Sequence, residues 1–227
     1  MAKTAAKRRV RAPGATREKL LTAAFEEIYH RGFQSASLDT ILAAAGVTKG
    51  ALYHHFPDKA ALGYAVVDEV VTGFLLQRWA GLLERLEGDP VTALRRVLEV
   101  RAAGLTPREV EFGCPLNNLA QEMSPLDEPF RRRMAAAFDT WTGAFAAALE
   151  RGQADGTVRR DIDARKVAGF VVAAIEGSFG LAKTAQSAPL LRSNLEILGA
   201  FLETLRPRPA RRRRAPARRA RGQRGKS

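Results

Sequence analysis

Between Ser37 and Phe56 the chain reads Ser-Leu-Asp-Thr-Ile-Leu-Ala-Ala-Ala-Gly-Val-Thr-Lys-Gly-Ala-Leu-Tyr-His-His-Phe, and the punctuation of this stretch leaves few folds open. Ser37 can cap a helix, the apolar positions Leu38, Ile41, Leu42 and Ala45 recur behind it at helical spacing, and Gly46 stops the run. Thr48 starts a second helix that has to end before Pro57. Two short helices joined by a glycine turn result. Leu52 and Phe56, four apart, give the second helix an anchoring face, and Val47 fills the turn. The opposite face carries Lys49, Tyr53 and His54, while Gly50 and Ala51 have too little bulk to hold the backbone away from a partner. So short a helix is marginal alone in water, so the rest of the fold must hold it.

That free face suits a polyanion. Tyr, Lys and His are apt for phosphate oxygens. Ser37 and Thr48 set hydroxyls and free amides at helix N-termini, where the dipole favours an anion, and Lys59 opens the next helix on the same side. The layout is that of a helix-turn-helix reading double-stranded DNA in the major groove.

The remaining pattern is helical throughout, with no alternating strand signature. Leu20, Leu21, Ala24, Phe25, Ile28 and Tyr29 predict a first helix behind Thr16, with Glu18 in its first turn and Gly32 at its end; His30 faces solvent near that end. Asp58 is expected to cap a long helix through Leu62, Val66, Val70 and Phe74 to about Leu86, before Gly88 and Pro90 break it. Leu94, Val97, Leu98 and Arg101 continue the helical period, and a loop rich in Gly and Pro is expected from Gly104 to Pro115. Phe130, Met134, Phe138, Trp141, Phe145 and Leu149 form one helical stripe, and Leu191, Leu195, Leu198, Leu202 and Leu205 another. Between them, Gly169, Ala173 and Gly177 line a face of a helix over about 164–183 where another backbone can approach closely, either within the chain or from a second copy.

Charge matters once it is located. Of the net +13, residues 1–15 carry +5 and residues 206–227 carry +11, which leaves the body mildly acidic at −3. Two cationic arms on an acidic body describe a folded protein with appended polyanion-binding segments. The lone Cys114 excludes an intramolecular disulfide and a Cys-based zinc site, which fits a reducing cytoplasm. The chain lacks a Gly-x-Ser-x-Gly elbow, a phosphate-cradling Gly loop and a His-Glu-x-x-His pair, and all three His lie in the N-terminal portion. No enzymatic activity, metal or cofactor is expected. The longest apolar run, Ala168 to Ile175, is too short to span a bilayer, so no membrane partner is expected.

The run Ala45 to Lys59, with Gly32-Phe33 ahead of it, resembles the DNA-binding domain of the TetR/AcrR family of bacterial regulators over residues 16–64. The resemblance implies Thr48, Lys49, Gly50, Tyr53, His54 and Lys59 as DNA contacts, to which the helix start at Ser37 is added from its own chemistry, and His55 is expected to be half-buried. It also implies an all-α protein with a three-helix DNA-binding domain (16–62) and a C-terminal bundle for ligand binding and dimerisation (63–205), flanked by the basic arm (1–15) and Arg-rich tail (206–227) that the charge pattern marks and that are expected to be disordered. Phe112 to Glu122 resembles one branch of that family in which a Gly-Cys motif opens a helix beside an effector cavity. The expected cavity residues are Cys114, Asn117, Asn118, Phe138, Trp141 and Phe179, although core packing explains the aromatics equally well. Cys114 is either an inert packing residue or, near a helix N-terminus, a thiol of lowered pKa that senses electrophiles. The implied function is a ligand-responsive repressor, homodimeric through helices at about 164–183 and 187–205, released from a pseudo-palindromic operator by a small-molecule effector. The competing reading is a non-specific architectural nucleic-acid binder driven by its basic arms.

Overall fold

The computed structural model describes residues 13–84 and 88–207, and every regular element among them is a helix. The expectations for the extreme arm and tail fall on residues 1–12 and 208–227, outside the described residues. Helix α1 (Pro13–Arg31) begins ahead of the expected cap Thr16 and ends at Gly32. Arg206 does not hang free: it pairs with Asp89 and Glu203. Helices α2 (Leu38–Ala45) and α3 (Lys49–His55) pack against α1 to form the N-terminal unit.

The expected long helix behind Asp58 is interrupted twice. Helix α4 (Lys59–Arg78) is α-helical at both ends but widens into a π turn over Val66–Val71, with Thr72 donating both its N–H and its hydroxyl to the Val67 carbonyl. The sequence there is Val-Val-Asp-Glu-Val-Val, and a wider turn lets Val66, Val67 and Val71 all point inward, each with no measurable exposure. At Trp79 the helix breaks as the indole turns into the core onto Trp141, with ring centroids 5.2 Å apart, and a short helix α5 (Ala80–Glu84) follows. Burying two indoles against each other outweighed continuous helix.

The bundle comprises α6 (Pro90–Ala103), α7 (Pro107–Phe112), α8 (Pro115–Met123), α9 (Glu128–Asp155), α10 (Ala164–Ala185) and α11 (Ala188–Glu203). Helix α10 lies between α9 and α11, and α11 closes against α6. The expected loop from Gly104 to Pro115 contains α7. Its signal was present in Thr106-Pro-Arg-Glu109, a reciprocal capping box with Pro at the first helical position. Helices α4 and α10 are long and apolar enough to cross a membrane by composition, yet 33% and 44% of their apolar windows are buried within the fold.

The N-terminal unit is tied to the bundle at several points. Gly63 lets the Phe33 and Phe130 rings meet 4.7 Å apart, since a Cβ there would lie 2.4 Å from Phe33. Both oxygens of Glu122, on α8, accept backbone N–H groups at 2.8 Å, from Phe33 and Gln34 just past the end of α1. Tyr29 donates to the Gly113 carbonyl at 2.6 Å, and Arg108 pairs with Glu26. Whatever moves α8 is therefore felt at the end of α1.

Candidate nucleic-acid interface

The starts of α2, α3 and α4 are each capped by a side chain named in the sequence, and the ends of α2 and α3 are closed by backbone N–H groups. Ser37 Oγ accepts from Thr40 N–H at 3.3 Å, and Ser37 N–H in turn donates to Glu27 at 3.1 Å. Gly46 ends α2 at φ +62°, a left-handed conformation that glycine adopts at little cost, with its N–H turned back onto Ala43 and Leu42. Thr48 Oγ1 caps α3 by accepting from Ala51 N–H at 3.3 Å, and Asp58 caps α4 by accepting from Ala61 N–H at 2.7 Å. Turn, caps and lengths follow from local sequence alone.

Packing then decides which face is free. Leu52 and Phe56 are buried in the same continuous core as Leu20, Ile41 and Leu42, and the Arg17 guanidinium covers the Phe56 ring at 5.2 Å. Thr48, Lys49, Gly50, Tyr53 and His54 are exposed on the opposite side, with Tyr53 at 45%. The Lys49 ammonium stands 6.0 Å from the Tyr53 ring centre, and a Cβ on Gly50 would meet nothing closer than Thr48 Oγ1 at 4.0 Å. An unshielded backbone flanked by a cation, a phenol and an imidazole is chemically a surface for phosphate oxygens and base edges. His55 is half-buried. Lys59 sits apart from this cluster: half-buried, it donates to the Gln34 carbonyl at 3.0 Å and lies over the Phe33 ring at 5.0 Å.

The expected cavity residues divide. Asn117 and Asn118 line a cleft of about 850 Å³ between the last turns of α1 and helices α8 and α10. Asn118 is already engaged, donating to the Phe112 carbonyl at 2.6 Å and accepting from Lys183 at 3.2 Å. Cys114, Trp141 and Phe179 are buried in the core and Phe138 is partly buried against it. Burial, followed by the charge of nearby Glu176, pushes the Cys114 thiol well above its ordinary value, the opposite of the lowered pKa that thiol sensing requires. His30 is exposed at the cleft rim, its ring 4.4 Å from that of Phe112. Sequence reasoning missed Glu122, whose role depends on a distant backbone. It also missed Glu176, although a single acid ending the run Val-Val-Ala-Ala-Ile was a visible signal. Among the described residues no group of three or more His, Cys, Asp or Glu is arranged to hold a metal.

Residues 20–66 match the family profile described as bacterial regulatory proteins, tetR family, and residues 90–195 match the C-terminal domain of LmrA/YxaF-like transcriptional regulators. The chain is 31% identical over 188 residues to an uncharacterized HTH-type transcriptional regulator in the lacX 3′ region of Lactococcus lactis subsp. lactis, covering 83% of this chain and 93% of that one. It is likewise 31% identical over 162 residues to the HTH-type transcriptional repressor DhaR of a Mycobacterium species, covering 71% and 79%. Among solved structures, the reduced form of Escherichia coli NemR superposes with a TM-score of 0.74 at 26% identity, covering 86% of this chain and 99% of that one.

Proposed function

The chain belongs to the tetR family of bacterial regulatory proteins, and we propose that it is an effector-controlled repressor whose α3 helix reads a pseudo-palindromic operator. The observation that carries this reading is the division of α3 into a buried face, Leu52 with Phe56, and an exposed face of Lys49, Gly50, Tyr53 and His54. Ser37 and Thr48, at the two helix starts, position the backbone on phosphates, while Lys59 reaches a phosphate only by leaving the Gln34 carbonyl. Selection of bound sequences from random duplex DNA, followed by footprinting, tests this. A pair of half-sites about one helical turn apart supports the reading, and binding without any recovered motif refutes it.

The working form is a homodimer through α10 and α11. Phe170, Leu181 and Ile197 are 55%, 59% and 66% exposed on these helices, and a Cβ added to Gly169, Gly177 or Gly180 would meet nothing within 4 Å. Such a flat apolar strip on a polar body fits a second copy of itself across a two-fold axis. The double substitution Leu181→Glu/Ile197→Glu is expected to give a folded monomer by light scattering and to lose cooperative binding to the two half-sites. A dimer of undiminished mass would place the interface elsewhere. The protein acts in the cytoplasm, on double-stranded DNA, and its effector is a small molecule held in the C-terminal bundle, with the cleft beside Asn117 and Asn118 as the way in. Coupling of about 1–3 kcal/mol between effector and operator would weaken operator binding roughly 5- to 150-fold.

The basic ends favour a second contribution, non-specific attraction to DNA. Deleting residues 208–227 removes nine Arg and one Lys. Affinity for operator and random DNA is expected to fall together, and the salt dependence to become shallower by about 0.9 in log–log slope for each phosphate that the tail no longer neutralises. Retention of the full slope would exclude the tail from DNA binding. Loss of the operator preference itself would favour the architectural reading over the repressor.

A further inference from the structure

Among the described residues the bundle contains two buried carboxylates treated in opposite ways. Glu109 is fully partnered, by Arg78, Arg101 and Thr106. Glu176, on α10 and 7% exposed, has no hydrogen-bond partner of normal geometry on either oxygen. The polar side chain that acts on it is the buried Cys114 thiol, a weak donor. The indole N–H of Trp141, on the neighbouring helix α9, is also buried without an acceptor. No cation among the described residues acts on Glu176: Arg78 and Arg101 pair with Glu109, and Lys183 with Asn118. A lone ionised carboxylate in apolar surroundings lowers stability, and a Gln or Leu there would remove that cost. Burial accordingly pushes the Glu176 carboxyl up to about 7.

Glu176 is not itself a wall of the open cleft, but its neighbours along the chain and those of Cys114 are. The cleft walls include Tyr29, Phe112, Pro115 and Gly180. Gly180 stands one helical turn beyond Glu176 on the same face of α10, Pro115 directly follows Cys114, and Tyr29 lies within electrostatic reach of Cys114. We propose that Glu176 is the anchor of the effector site and that the effector is a small organic cation with a flat apolar body. Its ammonium or amidinium N–H groups donate to the two free oxygens, and its body lies along Phe112 and Tyr29. An anion is repelled by the carboxylate, and a neutral donor leaves the charge uncompensated. This rests on the reading of the protein as effector-controlled. Because α1 forms one wall of the cleft and Glu122 of α8 holds the backbone at Phe33 and Gln34, an occupant shifts the N-terminal unit relative to the bundle.

Benzamidine, benzamide and benzoate form a cationic, neutral and anionic set of nearly one shape. With the full-length protein at pH 8, where Glu176 is mostly ionised, calorimetry and thermal unfolding are expected to show saturable binding at millimolar benzamidine, and at least tenfold weaker binding of the other two. Glu176→Gln abolishes the preference, and Glu176→Asp, which keeps the charge, retains part of it. Without any probe, Glu176→Gln is expected to unfold on the order of 5 °C higher than wild type at pH 8, with the gap closing toward pH 5. Equal binding of benzamide, no binding of benzamidine, an undiminished preference in Glu176→Gln, or a Glu176→Gln protein less stable than wild type at pH 8 would each overturn the proposal. Operator binding measured without probe is a separate arm. Its failure would remove the repressor reading and leave the calorimetric result to decide the cation site on its own.

Discussion

The double substitution Lys49→Ala/Tyr53→Ala is expected to abolish specific operator binding while leaving the helical content, unfolding midpoint and oligomeric mass unchanged. Both side chains lie on the exposed face of α3, and the Lys49–Tyr53 approach, at 6.0 Å in open solvent, contributes little to stability. Removing one side chain that meets a base or phosphate costs about 1–3 kcal/mol, so removing two is expected to lower operator affinity on the order of a hundredfold or more. Fluorescence anisotropy with operator and scrambled duplexes measures this directly. Equal operator affinity in wild type and double variant would end the assignment of α3 as the reading helix. Leu52→Ala is the internal contrast. At 1% exposure it leaves a cavity among α1, α2 and α3, and is expected to cost about 2–5 kcal/mol, losing DNA binding only because the domain loosens.

Glu109→Ala is expected to have the largest effect on the fold. Its carboxylate joins Arg78 at the end of α4, Arg101 on α6 and both the N–H and the hydroxyl of Thr106, at 2.9 and 2.8 Å. Arg101 is itself 8% exposed and covers the Trp79 ring at 5.4 Å, so it cannot turn out to water when its partner is removed. Leaving such a charge buried and unpaired costs about 3–5 kcal/mol. Denaturant unfolding at pH 7 measures it, and a loss under about 1 kcal/mol would show that Arg101 is rehydrated at little cost. The pH dependence has a definite sign. Burial alone raises the Glu109 carboxyl, but the Thr106 N–H and the Arg101 charge outweigh it and hold the group below its ordinary value. Its contribution is therefore complete above the unfolded carboxylate range and lost as pH falls through the lower folded value. Glu176 runs the other way. With its folded value at about 7, the protonated form is favoured, and stability falls as pH rises from the unfolded carboxylate range to about 7, then levels.

Sequence alone determined the parts governed by near neighbours. Ser37, Gly46, Thr48 and Asp58 each set a helix end through a bond to a residue at most four positions away, so the turn between α2 and α3 was legible without any knowledge of the rest. The apolar period likewise announced which side of α3 is buried, because a helix repeats its faces locally. Where local signals competed, tertiary packing decided. The run expected to be one helix to about Leu86 widened at Val66–Val71 and broke at Trp79, where three valines and the Trp79–Trp141 pair are buried in the core. The capping box at Thr106 was local and readable, yet the density of Gly and Pro around it suggested a loop. Only the tertiary structure decided which distant polar groups meet. Glu122 and Glu176 are both acids on helices, and although the apolar run before Glu176 hints at its burial, nothing local says what either carboxylate meets. One reaches backbone amides 88 and 89 positions away, and the other is buried beside the Cys114 thiol with neither oxygen in a hydrogen bond of normal geometry. A carboxylate's role follows from its solvation and its partners, and both are properties of the assembled fold.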